Sequence, residues 1–289
     1  MHVLVLASQK GGSGKTTLSG HLAVEAEAAG VGPVALIDTD PQGSLSHWWN
    51  ARQSSTPHFA KVGLRDLGDA LGQMKASGIR LAVIDTPPAV TASISQVVAH
   101  ADLVAVPTRP SPHDLRAVGA TVDIAERHGK PVIFVVNGAT PRARITGEAA
   151  VALSQHGTVA PVTLHHRVDF AASMVDGRTV GEVVPKSQST KEVRDLWLYI
   201  QERLARLTGD LAFLPEVRPI HFATDALSAL GDDKSLSIEP EVPPAMEDLA
   251  PPPLPERRFV PERRGNVTPF GGVDRRVHPF GRRAADRPQ

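Results

Sequence analysis

The sequence of 289 residues contains no cysteine. Disulfides are thereby excluded, and so are metal or iron–sulfur centres held by thiolates. Neither sign of charge prevails, with 31 lysines and arginines against 31 aspartates and glutamates. A balanced chain has no overall pull toward a polyanion, so any contact with nucleic acid has to come from a local patch. The start, Met1-His2-Val3, has no basic leader and no long apolar span follows it. Neither a signal peptide nor a transmembrane helix is indicated, and a cytoplasmic location is expected. No histidine or lysine cluster stands out that would supply a substrate pocket with extra catalytic groups.

What is present is enough apolar material, 41% of residues, for one sizeable core with chain left over for a tail. Continuous apolar runs recur at Val3 to Ala7, Val34 to Ile37, Leu81 to Ile84, Leu103 to Val106 and Val132 to Val136. Between them lie segments of helical spacing, such as Leu18, Leu22, Ala23 and Ala26, or Leu115, Val118, Val122 and Ala125. Runs too apolar for half-exposed strands, alternating with amphipathic helices, predict an α/β fold: a mostly parallel sheet covered by helices on both faces. Ligands of such sheets bind at the carboxyl ends of the strands. Glycine and proline punctuate the chain at Gly30, Gly32-Pro33, Gly78, Pro87-Pro88, Gly129 to Pro131 and Gly177.

The first run leads into Ser8-Gln9-Lys10-Gly11-Gly12-Ser13-Gly14-Lys15-Thr16-Thr17. Three glycines in four residues allow positive φ and let successive N–H groups approach phosphate oxygens. Lys15 can reach β and γ phosphates and Thr16 can ligate Mg²⁺. A helix starting near Thr17 turns its N-terminus toward the anion. The strict pattern G-x-x-x-x-G-K-[ST] is not met, because Gln9 stands where its first glycine belongs, and a second lysine, Lys10, precedes the glycines. Further on, Ile37-Asp38-Thr39-Asp40-Pro41-Gln42-Gly43 puts two carboxylates at a strand's end, near a γ-phosphate if that strand neighbours the loop strand. Leu81-Ala82-Val83-Ile84-Asp85-Thr86-Pro87-Pro88 ends an apolar strand in a carboxylate suited to hold Mg²⁺.

The K-G-G-x-G-K-T loop resembles the deviant Walker A loop of the ParA/MinD group of dimerising ATPases. The resemblance covers about residues 1–207 and implies ATP and Mg²⁺ as cofactors. Lys10, Lys15, Asp38 and Asp40 would be the catalytic set. Gly11, Gly12, Ser13, Gly14, Lys15, Thr16 and Thr17 would hold the phosphates, with Thr16, Asp38 and Asp85 at the metal. Lys10 would cross to the nucleotide of a partner subunit. Asp40 is taken as the hydrolysis carboxylate and Asp38 as the metal or water-positioning one, although the reverse order fits the motif equally. Val106-Pro107-Thr108-Arg109-Pro110-Ser111-Pro112-His113-Asp114 resembles the P-x-x-P-S-P-x-D segment of plasmid-type ParA proteins, and Asn137 stands where the family meets adenine. The missing cysteines set the chain apart from the iron–sulfur relatives of the same loop type. No helix-turn-helix precedes the loop, as in the short ParA form.

The family's working cycle implies an ATP-dependent homodimer that binds DNA non-specifically, associates with the nucleoid and moves or spaces a cargo through a ParB-like or other ATPase-stimulating adaptor. Candidate DNA contacts are Arg167, Arg178, Lys186, Lys191, Arg194 and Arg203, with Asp169 where many relatives have arginine. Two other readings use the same loop: a MinD-like membrane switch, and a metabolic ATP-dependent enzyme of the dethiobiotin synthetase type. The amphipathic stretch Ser189 to Leu207 is expected to pack on the core and close the domain, so no membrane contact is expected. Residues 208–289 form a second region, acidic and then proline- and arginine-rich, with the echoes Pro255-Glu256-Arg257-Arg258 and Pro261-Glu262-Arg263-Arg264. Its few apolar residues predict disorder, with a short helix possible over Phe222 to Leu230 and a protein partner or polyanion as its contact.

Overall fold

Alternating residues of the central strands are buried on opposite faces of the sheet, and this organises the whole domain. The computed structural model describes residues 1–88 and 91–215. Its strands are β1 (His2–Leu6), β2 (Val34–Asp38), β3 (His58–Lys61), β4 (Leu81–Asp85), β5 (Leu103–Thr108), β6 (Val132–Ala139), β7 (Thr158–Val159) and β8 (Leu164–His165). They pair in parallel in the order β3-β2-β4-β1-β5-β6-β7, with β8 also on β6. Helices α1 (Lys15–Ala28), α2 (Ser44–Asn50) and α9 (Gln188–Thr208) cover one face, meeting Leu4, Leu6, Leu36 and Val83. On the other face α3 (Leu67–Ala76), α4 (Thr91–Val98) and α5 (Pro112–Arg127) meet Val3, Val5, Ile37 and Ile84. Between β6 and α9 lie α6 (Arg144–Ser154), α7 (Val168–Met174) and the short α8 (Val180–Val183).

The expected architecture is therefore present, with differences of detail. Strands β3, β7 and β8 have no continuous apolar run. β3 lies at the edge with its residues half-buried or exposed, so it needs no such run. The strand carrying Asp38 does not neighbour the loop strand, because β4 lies between β2 and β1. Register then aligns Leu6, Asp85 and Asp38 across three adjacent strands, which brings both carboxylates to one sheet edge.

Helix α9 is capped by Ser187, whose hydroxyl accepts from the Thr190 amide at 3.1 Å, and it ends at Gly209 with φ of 72°. Val193, Leu196, Trp197, Ile200 and Leu204 are buried in the core. Each such side chain contributes about 1.5–3 kcal/mol, so the apolar face of α9 is committed to the fold rather than to a lipid surface. Packing continues beyond the boundary expected at 207. A 3-10 turn, Leu211–Phe213, buries Phe213 with its ring 3.9 Å from that of His2, and His2 Nε2 lies 3.0 Å from Asp210 Oδ2. The arginine-rich echoes and the Phe222 to Leu230 segment lie outside the described residues. No helix among the described residues is long and apolar enough to cross a membrane.

Candidate nucleotide site

The loop between β1 and α1 is built around glycines at positive φ: Gly12 at 73° and Gly14 at 99°, the latter the N-cap of α1. A Cβ on Gly14 would stand 2.2 Å from the side-chain amide nitrogen of Asn137, so another residue there would strain the backbone and push that amide off the loop. Lys15, the first residue of α1, is buried and donates from Nζ to the carbonyls of Ser8 (3.0 Å) and Lys10 (3.4 Å). Burial holds its pKa below the usual lysine value, against the pull of Asp85 and Asp40. Lys10, Gly11 and Gly12 are exposed at the rim, while Ser13 is buried. Gly11, Gly12, Gly14 and Lys15 to Thr17 line a cavity of about 650 Å³, which Asp40 closes from the β2 side.

Asp85, at the end of β4, is 1% exposed and accepts from the Thr16 hydroxyl at 2.6 Å through Oδ2. Burial pushes its carboxyl up to about 7, against the Thr16 hydrogen bond and Lys15, while Asp38 and Asp40 push it up further. Its second oxygen, Oδ1, is buried without a hydrogen-bond partner among the described residues. A buried carboxylate oxygen that lacks a donor, beside a hydroxyl, suits a divalent cation. Thr16 and Asp85 therefore fit Mg²⁺. Among the described residues no group of three or more His, Cys, Asp or Glu side chains forms an all-protein cage. Mg²⁺ commonly takes one or two protein ligands, with phosphate and water completing its shell.

Asp38, expected as the metal or water-positioning carboxylate, has both oxygens engaged within the protein. Its Oδ2 accepts from the amide and hydroxyl of Ser46 (2.9 and 2.7 Å) and its Oδ1 from the Asp40 amide (3.0 Å). These bonds tie the end of β2 to the first turn of α2, and Asp38 lines only a smaller cavity of about 250 Å³. Asp40 lines both cavities, with one oxygen taking the Gln42 amide at 3.0 Å. Asn137, expected at adenine, donates its amide to the Ser13 carbonyl at 2.7 Å and so braces the loop from β6. It is not among the residues lining the larger cavity. Two threonines that sequence reading passed over lock the strand ends: Thr39 donates to the Asp85 carbonyl (2.6 Å) and Thr86 to the Leu6 carbonyl (2.8 Å). Their signal was their place in D-T-D and D-T-P.

The segment from 176 to 182 connects α1 with α2 and the turn that follows it. Trp48 Nε1 donates to the Arg178 carbonyl at 3.1 Å, and Arg52 donates to the Gly177 carbonyl at 2.9 Å and to both oxygens of Glu182. From α1, His21 joins the same segment: its Nδ1 lies 2.8 Å from the Thr17 carbonyl and its Nε2 3.2 Å from the Val180 amide. These partners assign the proton to Nδ1. Burial lowers the His21 pKa from 6.5 to about 4, with the Thr17 carbonyl and Glu182 opposing. The unfolded chain therefore binds the proton first, and stability present in full above pH 6.5 falls as pH drops toward 4. The expected loss is roughly 3 kcal/mol, at about 1.4 kcal/mol per pH unit. Urea unfolding of the wild type and His21→Gln at pH 7.5, 5.5 and 4.5 checks this. The wild type should show the steeper decline, and parallel declines would refute it.

The expected DNA contacts are mostly engaged within the protein. Arg167 makes a bidentate pair with buried Glu192 (2.7 and 2.9 Å), and Arg194 pairs with Glu25 (3.2 Å). Arg203 reaches the Thr158 hydroxyl, while Arg178 pairs with exposed Asp176 and Lys191 with half-buried Asp195. Asp169 accepts from Ser189 at 3.1 Å. Of the six expected cations, Lys186 is exposed with no described partner.

Residues 4–180 match the CobQ/CobB/MinD/ParA nucleotide binding domain family. The chain is similar to the maintenance of carboxysome distribution protein A of Halothiobacillus neapolitanus, 28% identical over 65% of this chain and 91% of that protein. It is likewise similar to the protein of that name from Gloeobacter kilaueensis, 31% identical over 66% of this chain and 71% of that protein. Among solved structures, the ATP complex of Cyanothece McdA matches with a TM-score of 0.54 and 17% identity, over 72% of this chain and 96% of that one. At that identity the likeness speaks for the fold. With the family match spanning most of the described domain and a loop, hydroxyl and carboxylates arranged for a nucleotide phosphate, this chain belongs to the CobQ/CobB/MinD/ParA nucleotide-binding family.

Proposed function

We propose that the protein is an ATP-driven switch that dimerises around ATP, binds DNA without sequence preference and positions a cargo until hydrolysis releases it. The observation that carries this reading is the pairing of Lys15, buried inside the loop, with Lys10, exposed at its rim. In this reading one lysine serves the subunit's own phosphates, and the other, exposed at the rim, is within reach of a second molecule's. In this reading Lys15 and the loop N–H groups hold the triphosphate, and Asp40 orients the attacking water. Thr16 and Asp85 would hold Mg²⁺, which when bound neutralises phosphate charge. Asp38 acts through the turn: it fixes the backbone that carries Asp40.

Two relatives carry carboxysome distribution in their names, which favours a large protein assembly as cargo over a replicon. DNA contact falls to Lys186 and to the exposed Arg178 and Lys191, whose surface ion pairs are weak enough to exchange for phosphate. Arg167 is not available on those terms, since freeing it strands buried Glu192. Individually weak contacts gain from doubling in a dimer.

The test is retention of DNA of arbitrary sequence with ATP and Mg²⁺ at rising salt. Retention should appear with ATP, vanish with ADP and weaken steeply with salt. Lys10→Ala should keep ATP affinity within about threefold while losing both the dimer and DNA retention. Equal retention with ADP, or normal dimerisation of Lys10→Ala, would sink the proposal.

A further inference from the structure

Besides Lys15, the cavity is lined by a cation that the loop motif does not contain. Arg109 follows the last residue of β5 in the sequence Arg109-Pro110-Ser111-Pro112, at the carboxyl edge of the strand beside β1. Two prolines restrict that segment, the Ser111 amide donates to the Arg109 carbonyl at 2.7 Å, and the Ser111 hydroxyl caps α5 by accepting from the Asp114 amide. The backbone that aims Arg109 is thus held from both sides.

The side chain runs across two glycines at positive φ. Its Cγ and Nε lie 3.7 and 3.8 Å from the place a Cβ would take on Gly138, and its guanidinium lies 3.8–4.0 Å from the same place on Gly12. Larger side chains at either position would grow into the arginine. Arg109 thus lines the cavity next to the loop. Among the described residues no carboxylate pairs with it and no hydrogen bond engages its guanidinium. An unpaired arginine over a phosphate loop contrasts with Arg52, Arg167 and Arg194, each of which has an acidic partner.

Charge gives that contrast a meaning. Within the subunit Lys15 faces Asp40 and Asp85, so without Arg109 this part of the site holds more negative than positive side chains before any polyphosphate enters. We infer that Arg109 donates to phosphate oxygens of the nucleotide bound in its own subunit, from the β5 side of the loop and opposite Asp40. The inference rests on the nucleotide reading above and adds a phosphate-binding residue to it. A guanidinium suits the role because its planar fork meets two phosphate oxygens at once, which an ammonium cannot do.

Calorimetric titration of the full chain with ATP, ADP and inorganic triphosphate tests this. Arg109→Ala should bind ATP and triphosphate about tenfold more weakly than the wild type, the scale of one charge-assisted contact, with an unchanged melting temperature. Arg109→Lys should fall between the two. Arg109→Ala affinities for ATP and ADP within twofold of the wild type would overturn the inference. So would a loss confined to ATP-dependent dimerisation, which would place the guanidinium at the partner. A wild type that binds no ATP at all would refute the nucleotide reading itself, a result distinct from normal wild-type binding with an indifferent Arg109→Ala.

Discussion

Gly177→Ala is expected to cost about 4 kcal/mol of folding stability and to release α2 from the segment it is docked on. The residue sits at φ of 77°, where a Cβ carries a strain of about 1–2 kcal/mol. The larger effect is contact. The new Cβ would lie 2.3 Å from the amide nitrogen of Arg52, 2.4 Å from its Cα and 2.6 Å from the carbonyl carbon of Ala51. All three are backbone atoms, so no side-chain rotation relieves the overlap, and the two segments must part. Parting them weakens the Arg52 to Gly177 carbonyl bond, the Arg52–Glu182 pair and the Trp48 to Arg178 carbonyl bond together. Losses of several hydrogen bonds in one network fall in the upper tail of point-mutation effects.

Gly129→Ala is the control for that experiment. Gly129 also has positive φ, at 60°, but nothing lies within 4 Å of its Cβ position. It should cost about 1 kcal/mol, which isolates the contact from the strain. Urea unfolding of both variants measures the difference, and equal midpoints would show that the docking contact is easily surrendered. Because α2 follows the turn carrying Asp40, the Gly177→Ala protein should also hydrolyse ATP more slowly at saturating nucleotide.

Gly177 shows where sequence reading stops. It was legible as punctuation, since glycine between helical stretches marks a turn, but the neighbour that demands it is Arg52, more than a hundred positions earlier. The same limit governs the charges. Lys191 and Asp195 stand four apart on α9, so their pairing could have been read from the helix period. The partners of Arg167 and Arg194 lie on other elements and could not, so the sequence alone did not separate these two from the exposed Arg178, Lys186 and Lys191. By contrast the loop, Thr16 and Asp85 were legible because glycine conformation and strand-end position are local properties. Asp38 and Asn137 were legible from their motifs, yet the hydrogen bonds they make depend on Ser46 and the Ser13 carbonyl being in reach, which the sequence does not reveal. Arg109 belongs to a motif legible in the sequence, yet only the register of β5 on β1 and β6 sets it above Gly12.

Lys15→Gln should abolish nucleotide binding, with at least a hundredfold loss of ATP affinity, while changing folding stability by less than about 1 kcal/mol. The two halves of that expectation have separate causes. Lys15 is buried, and burial disfavours its charge, so the fold gains little from the ammonium itself. Glutamine keeps an amide donor for the Ser8 carbonyl that Nζ now meets at 3.0 Å. For the nucleotide the change is severe. A unit charge about 4 Å from phosphate is worth ~4 kcal/mol at an effective dielectric of 20. Its removal also leaves Asp40 and Asp85 facing a polyanion with less compensation. Fluorescent-nucleotide titration and urea unfolding of the same preparation separate the two effects. Affinity within tenfold of the wild type would remove Lys15 from the site, whereas equal losses of affinity and stability would make it a structural residue. The first outcome would also undo the role assigned to Lys10, since a lysine offered to a partner's phosphates has meaning only if each subunit first holds its own.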